Sequence, residues 1–429
     1  MPLRAAFRVK SLSTCGKALR IIWADGIEST FPSVWLRASV RESPYFDDTA
    51  IMYRFDHLSF LQKPSVIASV ERKKAECDED YVSVNWKDLS SDFDASWLRA
   101  QDSKASSNFL AEHGIQKQYW DCSQTLPQYE YSRKEEDFES WMMDIHKWGI
   151  VVVKGVPPNE KAYVDFLNLM GPLAQRNHPT NIFVMEQKPR PMSMDPPAYG
   201  RSVFGAHTDA SYYTIPKKIL GFQGVEYSAP DGDTENFFVD GFRVVEDLRK
   251  EDPDAFALLT NVPMRQTRRR MGLYDIQPPE VERKHLWDAC LDTSPIVMSR
   301  DGKSIERLQT RWTKHGGLPL EVGDNELMTK FYKAYNTLQT RLDDPKYHQR
   351  IIMRPGVMVV FDNHRLVHGR GFIHPSTRRS MNGAFIAPEI WESRWRLLLG
   401  KISGLPDKWL FGCSTDALEV LALRKAHSD

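Results

Sequence analysis

The second half of the chain is a succession of short apolar segments, and this pattern constrains the fold more than any other feature. From about residue 203 to residue 387, segments such as KILGFQGVEY, ENFFVDGF and PGVMVVFDN are separated by Gly, Pro and Asp. Helical periodicity interrupts them near residues 243–260 and 324–341. Short strands with Gly and Pro between them, flanked by helices, favour a β-sandwich or jelly roll over a parallel α/β sheet.

The N-terminal region carries two similar phrases, each with an apolar segment, a turn and a second apolar segment. Residues 18–36 read ALRIIWADGIESTFPSVWL, and residues 81–98 read YVSVNWKDLSSDFDASWL. Apolar segments on both sides of an Asp-Gly turn indicate a β-hairpin. We therefore predict a small antiparallel β domain over residues 15–102, with a polar linker over residues 103–107.

Two helices are predicted between these regions. Ser132 and Glu135 indicate a capping box at the start of the first helix, and Gly149 indicates its end. Asn159 and Gly171 indicate the start and the end of the second helix.

The charge balance narrows the choice of partner. Lys plus Arg and Asp plus Glu are each 57 among 429 residues, so no basic excess attracts nucleic acid or anionic lipid. No apolar run approaches the roughly 18–20 residues that span a bilayer. We expect a small-molecule partner, and neither a nucleic-acid nor a membrane partner.

The cysteines and the N-terminus bear on the compartment. Five cysteines with no C-x-x-C pair suit reduced thiols, and a structural zinc site of the usual cysteine type is not expected. Residues 1–24 carry five basic residues and no acid, which is typical of a mitochondrial transit peptide. The alternative is a basic segment that leads into the first strand. We take that alternative and predict a cytoplasmic location.

His207, Asp209 and His368 form the pattern that carries chemistry. In an extended chain residues i and i+2 face the same side, so the two ends of His207-Thr208-Asp209 can share one metal ion. His368 follows the strand-like segment PGVMVVF and is the natural third ligand. Two imidazoles and one carboxylate on one face of an octahedron are the ligand set of non-haem iron oxygenases. The open positions can take a 2-oxo acid and dioxygen.

An isolated H-x-D tripeptide arises by chance in many chains, so a second signal is needed. The far carboxylate of a 2-oxo diacid needs a cation, and arginine makes the best bidentate contact. Arg378 and Arg379 follow His368 by 10 and 11 residues. Thr234 ends the turn D-G-D-T with a hydroxyl that can donate to the same carboxylate.

These motifs together resemble the γ-butyrobetaine dioxygenase and trimethyllysine dioxygenase family, a branch of the taurine dioxygenase-like superfamily. The likeness covers H-T-D, G-D-T, VDGF, DNHRLVHGR and, in the N-terminal region, W-x-D-G and F-x-x-x-W-L-R. It implies an α+β protein in which the small N-terminal antiparallel β domain is followed by a double-stranded β-helix (jelly-roll) oxygenase domain flanked by helices. That domain would cover residues 120–400, with a C-terminal tail over residues 401–429. A homodimer is also implied.

The resemblance assigns roles to individual residues. His207, Asp209 and His368 become ligands of Fe(II), and no catalytic side chain beyond them is expected. The implied cofactors are Fe(II), 2-oxoglutarate and O2, with ascorbate as a candidate reductant. The implied 2-oxoglutarate-binding residues are Arg379 as the clamp, Thr234 and Arg370.

Two departures from the family pattern are informative. After W-L-R the family carries clustered cysteines that hold zinc, whereas residues 38–44 here read ASVRESP. We therefore expect the N-terminal domain to stand on packing alone. The second departure concerns the aromatic cage in which carnitine-pathway enzymes hold a trimethylammonium group. Tyr199 matches a cage tyrosine, but Pro196 and Arg311-Trp312 stand where amide side chains are expected.

These departures lead to a substrate prediction. Arg311 would repel a quaternary ammonium and favour a carboxylate if it faces the pocket. Tyr212 and Tyr213, just past the H-x-D tripeptide, are candidate walls of the substrate site, with core aromatics as the alternative.

The resulting prediction is an Fe(II)- and 2-oxoglutarate-dependent dioxygenase. It would oxidise a C–H bond of a small carboxylate or amino-acid-like metabolite, with hydroxylation as the default outcome and release of succinate and CO2. The alternatives are a genuine carnitine-pathway γ-butyrobetaine or trimethyllysine hydroxylase, a non-catalytic jelly-roll binding protein, and a metal hydrolase. The intact ligand set together with Arg379 argues against the last two.

Overall fold

The computed structural model of the protein divides the chain into two compact units, Met1–Gln116 with Trp395–Asp429, and Lys117–Arg394. The linker predicted over residues 103–107 lies outside the described residues. None of the described helices combines the length and the hydropathy of a membrane-spanning helix. The described residues are 8–56, 62–63, 65–74, 80–102, 117–174, 181–187, 200–271, 285–299, 302–310, 318–319, 323–415 and 417–419.

The first unit is built from small antiparallel sheets. Its strands are β1 (Val9–Thr14), β2 (Ala18–Trp23), β3 (Glu28–Pro32), β4 (Phe46–Asp47), β5 (Met52–Tyr53), β6 (Ile67–Lys74), β7 (Asp80–Trp86) and β8 (Ser90–Asp94). They pair in the orders β1-β2-β3, β4-β5 and β6-β7-β8. The helices are α1 (Ser33–Ala38), α2 (Ala95–Gln101) and the short C-terminal helix Asp407–Leu410.

The two predicted hairpins are confirmed, since β2 pairs antiparallel with β3 and β7 with β8. The prediction was wrong for the end of each phrase. Residues 33–36 and 95–98 lie in α1 and α2 rather than in the second strands. In the second phrase the cause is visible, because the Asp94 carboxylate accepts a hydrogen bond from the Trp97 backbone N–H at 2.9 Å and so starts a helix.

Arg41 lies in the segment where the resemblance leads one to expect zinc-binding cysteines. Its buried guanidinium is 5.3 to 5.9 Å from the centroids of four aromatic rings. It also donates hydrogen bonds to two backbone carbonyls near the C-terminus, those of Lys408 and Phe411. A desolvated cation enclosed by ring faces is strongly stabilising. The four rings are those of Phe46, Trp97, Trp409 and Phe411.

We predict that Arg41→Leu lowers the free energy of unfolding by about 2–4 kcal/mol, because both the cation–π contacts and the charged hydrogen bonds are lost. Arg54→Leu is the matched control. Its guanidinium is 60% exposed and pairs with Asp47, so the loss should stay below about 1 kcal/mol. Calorimetric unfolding of both variants measures the difference. Equal destabilisation by the two substitutions would contradict the role given to Arg41.

The second unit contains two larger sheets. Their strands are β9 (Gln128–Glu130), β10 (Ile150–Lys154), β11 (Phe183–Gln187), β12 (Phe204–His207), β13 (Ile219–Ser228), β14 (Asn236–Asp240), β20 (Gln349–Ile351), β21 (Met358–Asp362), β22 (Leu366–Arg370) and β23 (Arg378–Phe385). The six-stranded sheet has the order β11-β23-β13-β21-β10-β9, and the four-stranded sheet has the order β12-β22-β14-β20. All of these pairs are antiparallel except β9 with β10.

Smaller sheets and helices complete this unit. The remaining strands are β15 (Met264–Met271), β16 (His285–Thr293), β17 (Ile296–Met298), β18 (Ile305–Leu308) and β19 (Leu318–Pro319). The helices are α3 (Glu135–Trp148), α4 (Glu160–Met170), α5 (Gly241–Glu251), α6 (Pro253–Asn261), α7 (Asn325–Leu342), a 3-10 turn Pro345–Tyr347 and α8 (Pro388–Ser403), whose C-terminal end belongs to the first unit.

The four-stranded sheet has an apolar cluster on each face. Phe238 and Leu366 belong to the cluster that also holds residues of the six-stranded sheet, such as Phe222 and Phe361. Alternate residues along the same strands, including Val239 and Val367, belong to the cluster that holds α5, α6 and α7. Since side chains alternate along a strand, the even-numbered positions of β14 and β22 face the six-stranded sheet.

The helix predictions fared differently. For α4, the Asn159 side chain accepts from the Ala162 N–H at 2.9 Å and the helix ends before Gly171, as predicted. For α3, the predicted capping box was wrong. The helix begins at Glu135 after an N-cap without a side-chain hydrogen bond. Ser132 lies too far upstream, and its hydroxyl accepts from the Lys134 N–H instead, at 3.2 Å.

Gly149 ends α3 as predicted, in the left-handed conformation with φ of 78°. A Cβ atom here would lie 2.3 Å from a methyl carbon of Leu366. Its carbonyl accepts from the Asp362 N–H at 2.8 Å. The glycine therefore allows the end of α3 to approach the turn between β21 and β22.

Candidate metal centre

His207 and His368 lie opposite each other on neighbouring strands. His207 ends β12, and the two histidines are register partners in the β12–β22 pair. Phe238 of β14 is the partner of His368 on the other side. Because Ala206 and Val367 belong to the cluster under the helices, both histidines face the six-stranded sheet. Strand pairing alone thus brings together two residues that are far apart in sequence.

Asp209 lies just beyond the end of β12. Its backbone N–H donates to the Asn363 side-chain oxygen at 2.8 Å, and its carbonyl accepts from the Asn363 amide at 2.9 Å. The next residue, Ala210, has φ of 60°, a conformation that costs a non-glycine residue on the order of 1 kcal/mol. The strained turn and the two hydrogen bonds with Asn363 together fix the Asp209 peptide.

The three side chains converge. The distance from His207 Nε2 to an Asp209 carboxylate oxygen is 3.7 Å, and that from His368 Nε2 to the other oxygen is also 3.7 Å. All three ligand atoms lie within 4.8 Å of one another. These separations are longer than a hydrogen bond and suit two ligands of one ion whose bonds are each about 2 Å long. Among the described residues this is the cluster of ligating side chains that can hold a metal ion.

The orientation of His207 suits a metal ligand. Its Nδ1 lies 2.8 Å from the Gly205 carbonyl oxygen. A proton on Nδ1 donates to that oxygen and leaves Nε2, the atom that faces Asp209, with a free electron pair. The Phe204 ring lies 3.9 Å from the imidazole centroid and limits its rotation.

Aromatic side chains surround His368. The ring centroids of Phe361, Phe222 and Phe238 are 5.2, 5.4 and 6.4 Å from the imidazole. Aromatic rings packed around the imidazole exclude water from it and strengthen electrostatic interactions there.

Arg379 is the second residue of β23 and is buried, whereas Arg378, which begins the strand, is exposed. The Arg379 Nη2 donates to the Asn236 side-chain oxygen, and its Nε has no hydrogen-bond partner among the described residues. Burial, followed by the charge of Arg370, lowers the pKa of the guanidinium to about 9, so it stays charged at neutral pH. Among the described residues no carboxylate pairs with it. A buried cation in this state needs an anion.

The position of Arg379 relative to the metal ligands follows from strand register. Asn236, which it contacts, is the partner of Arg370, and Phe238 is the partner of His368. Two residues along a strand cover about 7 Å. The residue that Arg379 contacts, Asn236, therefore lies one such step along β14 from Phe238, the register partner of His368.

Thr234 and Arg370, the other two predicted cofactor-binding residues, are both buried. The Thr234 hydroxyl is 3.2 Å from the Phe372 carbonyl, to which it donates. Arg370 donates to the carbonyls of Gly200 and Ser202. Both residues thus hold neighbouring backbone.

The predicted substrate-binding residues are only partly described. Tyr212 is buried and Tyr213 half-buried, and their ring centroids are 5.0 Å apart. The Lys217 ammonium lies 5.1 Å from the Tyr213 ring. Tyr199 and Arg311 lie outside the described residues, as do Pro196 and Trp312.

Sequence reasoning missed Asn363. This residue stands inside the DNHRLVHGR motif, yet an asparagine after a strand is typical of a turn and gives no sign of a partner 154 residues away. The neighbouring His364 lies outside the cluster. Its Nε2 is 3.2 Å from the Pro216 carbonyl, and burial lowers its pKa to about 4, so the ring is neutral.

Comparison with known proteins gives a family match. The sequence profile of the family described as "Taurine catabolism dioxygenase TauD, TfdA family" matches residues 121–385. Trimethyllysine dioxygenase of Meyerozyma guilliermondii is 23% identical over 410 residues, covering 91% of this chain and 96% of that protein. Gamma-butyrobetaine dioxygenase of Homo sapiens is 24% identical over 394 residues, covering 90% and 95%. A solved taurine dioxygenase from Burkholderia xenovorans superposes with a TM-score of 0.42 at 12% identity, over 61% of this chain and 86% of that one.

We predict that Asn363→Ala weakens metal binding about 10- to 100-fold, because residues that hold a ligand in place have effects of that size. Anaerobic titration with Mn(II), followed by calorimetry, measures the dissociation constant without turnover. Asn261→Ala is the control, since that exposed amide bonds only within its own helix end. A dissociation constant for Asn363→Ala within twofold of that of the unsubstituted protein would show that the position of Asp209 does not depend on its hydrogen bonds with Asn363.

Proposed function

The chain belongs to the taurine catabolism dioxygenase TauD, TfdA family and is an iron- and 2-oxoglutarate-dependent dioxygenase, and we propose that it oxidises a C–H bond of a small carboxylate or amino-acid-like metabolite. The products beside the oxidised substrate are succinate and CO2. Hydroxylation is the default outcome, and desaturation or ring closure would need the same site with a different substrate pose.

The observation that carries the proposal is the pairing of two features on facing strands. One is the cluster of His207, Asp209 and His368, whose donor set fits iron(II). The other is the buried Arg379, whose Nε has no partner among the described residues and which contacts Asn236, two strand positions from the register partner of His368. A hydrolytic metal site would not require the second feature, and a non-catalytic binding protein would not require the first.

We assign the residues as follows. The two histidines and Asp209 hold the iron, which when bound supplies the redox chemistry with dioxygen. Arg379 receives the distal carboxylate of 2-oxoglutarate through a charge-assisted contact. Thr234 and Arg370 contribute to the cofactor site, and their contacts with Phe372, Gly200 and Ser202 favour support of the surrounding backbone.

The proposed fold of the oxygenase part is a double-stranded β-helix. It is supported by the way consecutive strands change sheet: β12, β14 and β22 lie in the four-stranded sheet, and β13, β21 and β23 in the six-stranded one. We retain residues 120–400 for this domain and residues 15–102 for the N-terminal one. Residues 401–429, expected as a tail, group with the first unit.

The substrate part of the proposal rests on sequence, since Tyr199, Pro196 and Arg311 lie outside the described residues. An arginine in the pocket would favour a carboxylate. The second candidate is a carnitine-pathway hydroxylase, favoured by relatives named trimethyllysine and gamma-butyrobetaine dioxygenase that match about nine-tenths of the chain. Tyr212 and Tyr213 could then serve as cage aromatics. We propose a homodimer and a cytoplasmic location, with the basic N-terminus leaving a mitochondrial one open.

Anaerobic titration tests the proposed function. We expect Fe(II) and 2-oxoglutarate together to give a weak visible charge-transfer band, and alanine at His207, Asp209 or His368 to remove it while the far-ultraviolet dichroism stays unchanged. A binding protein or a hydrolase would give no such band. Succinate release with a panel of carboxylates, amino acids, γ-butyrobetaine and trimethyllysine then decides the substrate class. Succinate formation driven as strongly by γ-butyrobetaine or trimethyllysine as by any other carboxylate in the panel would refute the carboxylate preference.

We predict that Arg379→Ala weakens 2-oxoglutarate binding roughly 30- to 1000-fold, because losing a charged hydrogen bond to a partly buried carboxylate costs about 2–4 kcal/mol. Metal affinity should change far less. Arg378→Ala, at the exposed neighbouring position, is the matched control. A large effect of Arg378→Ala with a small effect of Arg379→Ala would mean that Arg378, rather than Arg379, binds the distal carboxylate of 2-oxoglutarate.

A further inference from the structure

Two chain segments near Arg379 are joined by arginine side chains that donate to backbone carbonyls. Arg201, in the segment before β12, donates to the loop 371–377 between β22 and β23. Arg370, at the end of β22, donates to segment 200–202. We call these two side chains and the carbonyls they contact the arginine latch. The carbonyls are those of His374, Thr377, Gly200 and Ser202.

The latch is reciprocal and buried. The Arg370 nitrogens are 2.9 and 2.7 Å from their two acceptors, and the Arg201 Nη1 is 2.5 Å from the His374 carbonyl. The Ile373 N–H also donates to the Arg201 carbonyl, at 2.9 Å. Both guanidiniums are over nine-tenths buried. Each segment thus supplies the cation that orders the other segment.

The loop held by Arg201 leads directly to Arg379. Thr377, one of the acceptors, is two residues before Arg379 and is itself buried. The Thr234 hydroxyl holds the same loop at Phe372. Because Thr377 directly precedes β23, the path of the loop and the pairing of β23 with β11 and β13 together set where the Arg379 side chain begins.

The charges of the three arginines are coupled in sequence. The Arg201 charge acts on Arg370, and the Arg370 charge acts on Arg379. Like charges in a buried setting repel strongly. The reverse coupling follows from linkage: if the latch contacts hold Arg379 in the geometry that binds a carboxylate, binding of the carboxylate stabilises those contacts by the same free energy.

We propose that Arg201 is a positioning residue for the cosubstrate: through the latch it holds loop 371–377, and hence Arg379, in the geometry that receives the distal carboxylate of 2-oxoglutarate. Binding of that carboxylate in turn stabilises the latch. This inference rests on the proposed function, because it takes 2-oxoglutarate as the ligand.

Substitution at Arg201 separates geometry from charge. Arg201→Lys keeps the charge but loses the planar fork of donors, and Arg201→Gln loses both. We expect the dissociation constant for 2-oxoglutarate, measured by calorimetry with Mn(II) in place of iron, to rise about tenfold in the lysine variant and further in the glutamine variant. The dissociation constant for Mn(II) itself should stay within twofold. Arg350→Gln, which removes an exposed arginine paired with Glu235, is the control and should change neither constant.

Hydrogen exchange, in the unsubstituted enzyme and in Arg201→Lys, tests the reverse coupling. In the unsubstituted enzyme with Mn(II), saturating 2-oxoglutarate should slow exchange at residues 371–377 and 200–202. In Arg201→Lys the slowing should be reduced. A purely structural role would instead lower the melting temperature and leave both the 2-oxoglutarate affinity and the ligand-induced slowing unchanged.

The outcomes separate failure of the latch proposal from failure of the proposed function. Suppose that the unsubstituted enzyme binds 2-oxoglutarate. If the dissociation constant of Arg201→Lys is then within twofold of the unsubstituted value, or if 2-oxoglutarate leaves the exchange rates of both segments unchanged, the latch proposal is overturned and the proposed function stands. If the unsubstituted enzyme does not bind 2-oxoglutarate at all, the proposed function fails and the latch proposal fails with it.

Discussion

The buried ion pair between Arg365 and Asp240 is the interaction on which the arrangement of the site depends. Both side chains are fully buried, and the guanidinium contacts both carboxylate oxygens, at 3.1 and 2.6 Å. Removing two charges from water costs several kcal/mol per ion, so such a pair persists only when its other donors and acceptors are satisfied. Here they are. Arg365 also donates to the carbonyls of Lys147 and Gln118, and Asp240 accepts from the backbone of Trp120 and Phe242.

This pair connects the elements that present the metal ligands. Asp240 ends β14 and caps α5. Arg365 lies in the turn between β21, a strand of the six-stranded sheet, and β22, a strand of the four-stranded sheet. Gly149 lets the end of α3 approach that turn. Asn363, two residues before Arg365, reaches across to the Asp209 backbone. The turn therefore fixes His368 through β22 and Asp209 through Asn363, which is why two of the sequence motifs, VDGF and DNHRLVHGR, belong to one structural unit.

The sequence predicted what local chemistry determines and missed what distant contacts determine. The Asn159 cap, the Gly149 and Gly171 helix ends and the hairpin strands depend on residues a few positions apart, and the structure has them as predicted. The capping box failed because a serine that matches a motif can instead bond its own turn. The roles of Asn363 and Arg201 depend on partners 154 and 173 residues away, for which no periodicity or spacing gives a signal.

Burial alone does not separate an arginine that stabilises the fold from one that is proposed to bind a ligand, since Arg365, Arg370 and Arg379 are all buried. Their partners differ. Arg365 has a buried carboxylate and two carbonyls, so its charge is balanced within the fold. Arg379 has a neutral amide oxygen, a thioether and an Nε without a partner, so its charge is not balanced by the described residues. A guanidinium cannot escape this cost by losing its proton near neutral pH. An arginine whose charge is balanced within the fold stabilises the fold, whereas the cost of burying the Arg379 charge would be offset by an anion, as proposed for the distal carboxylate of 2-oxoglutarate.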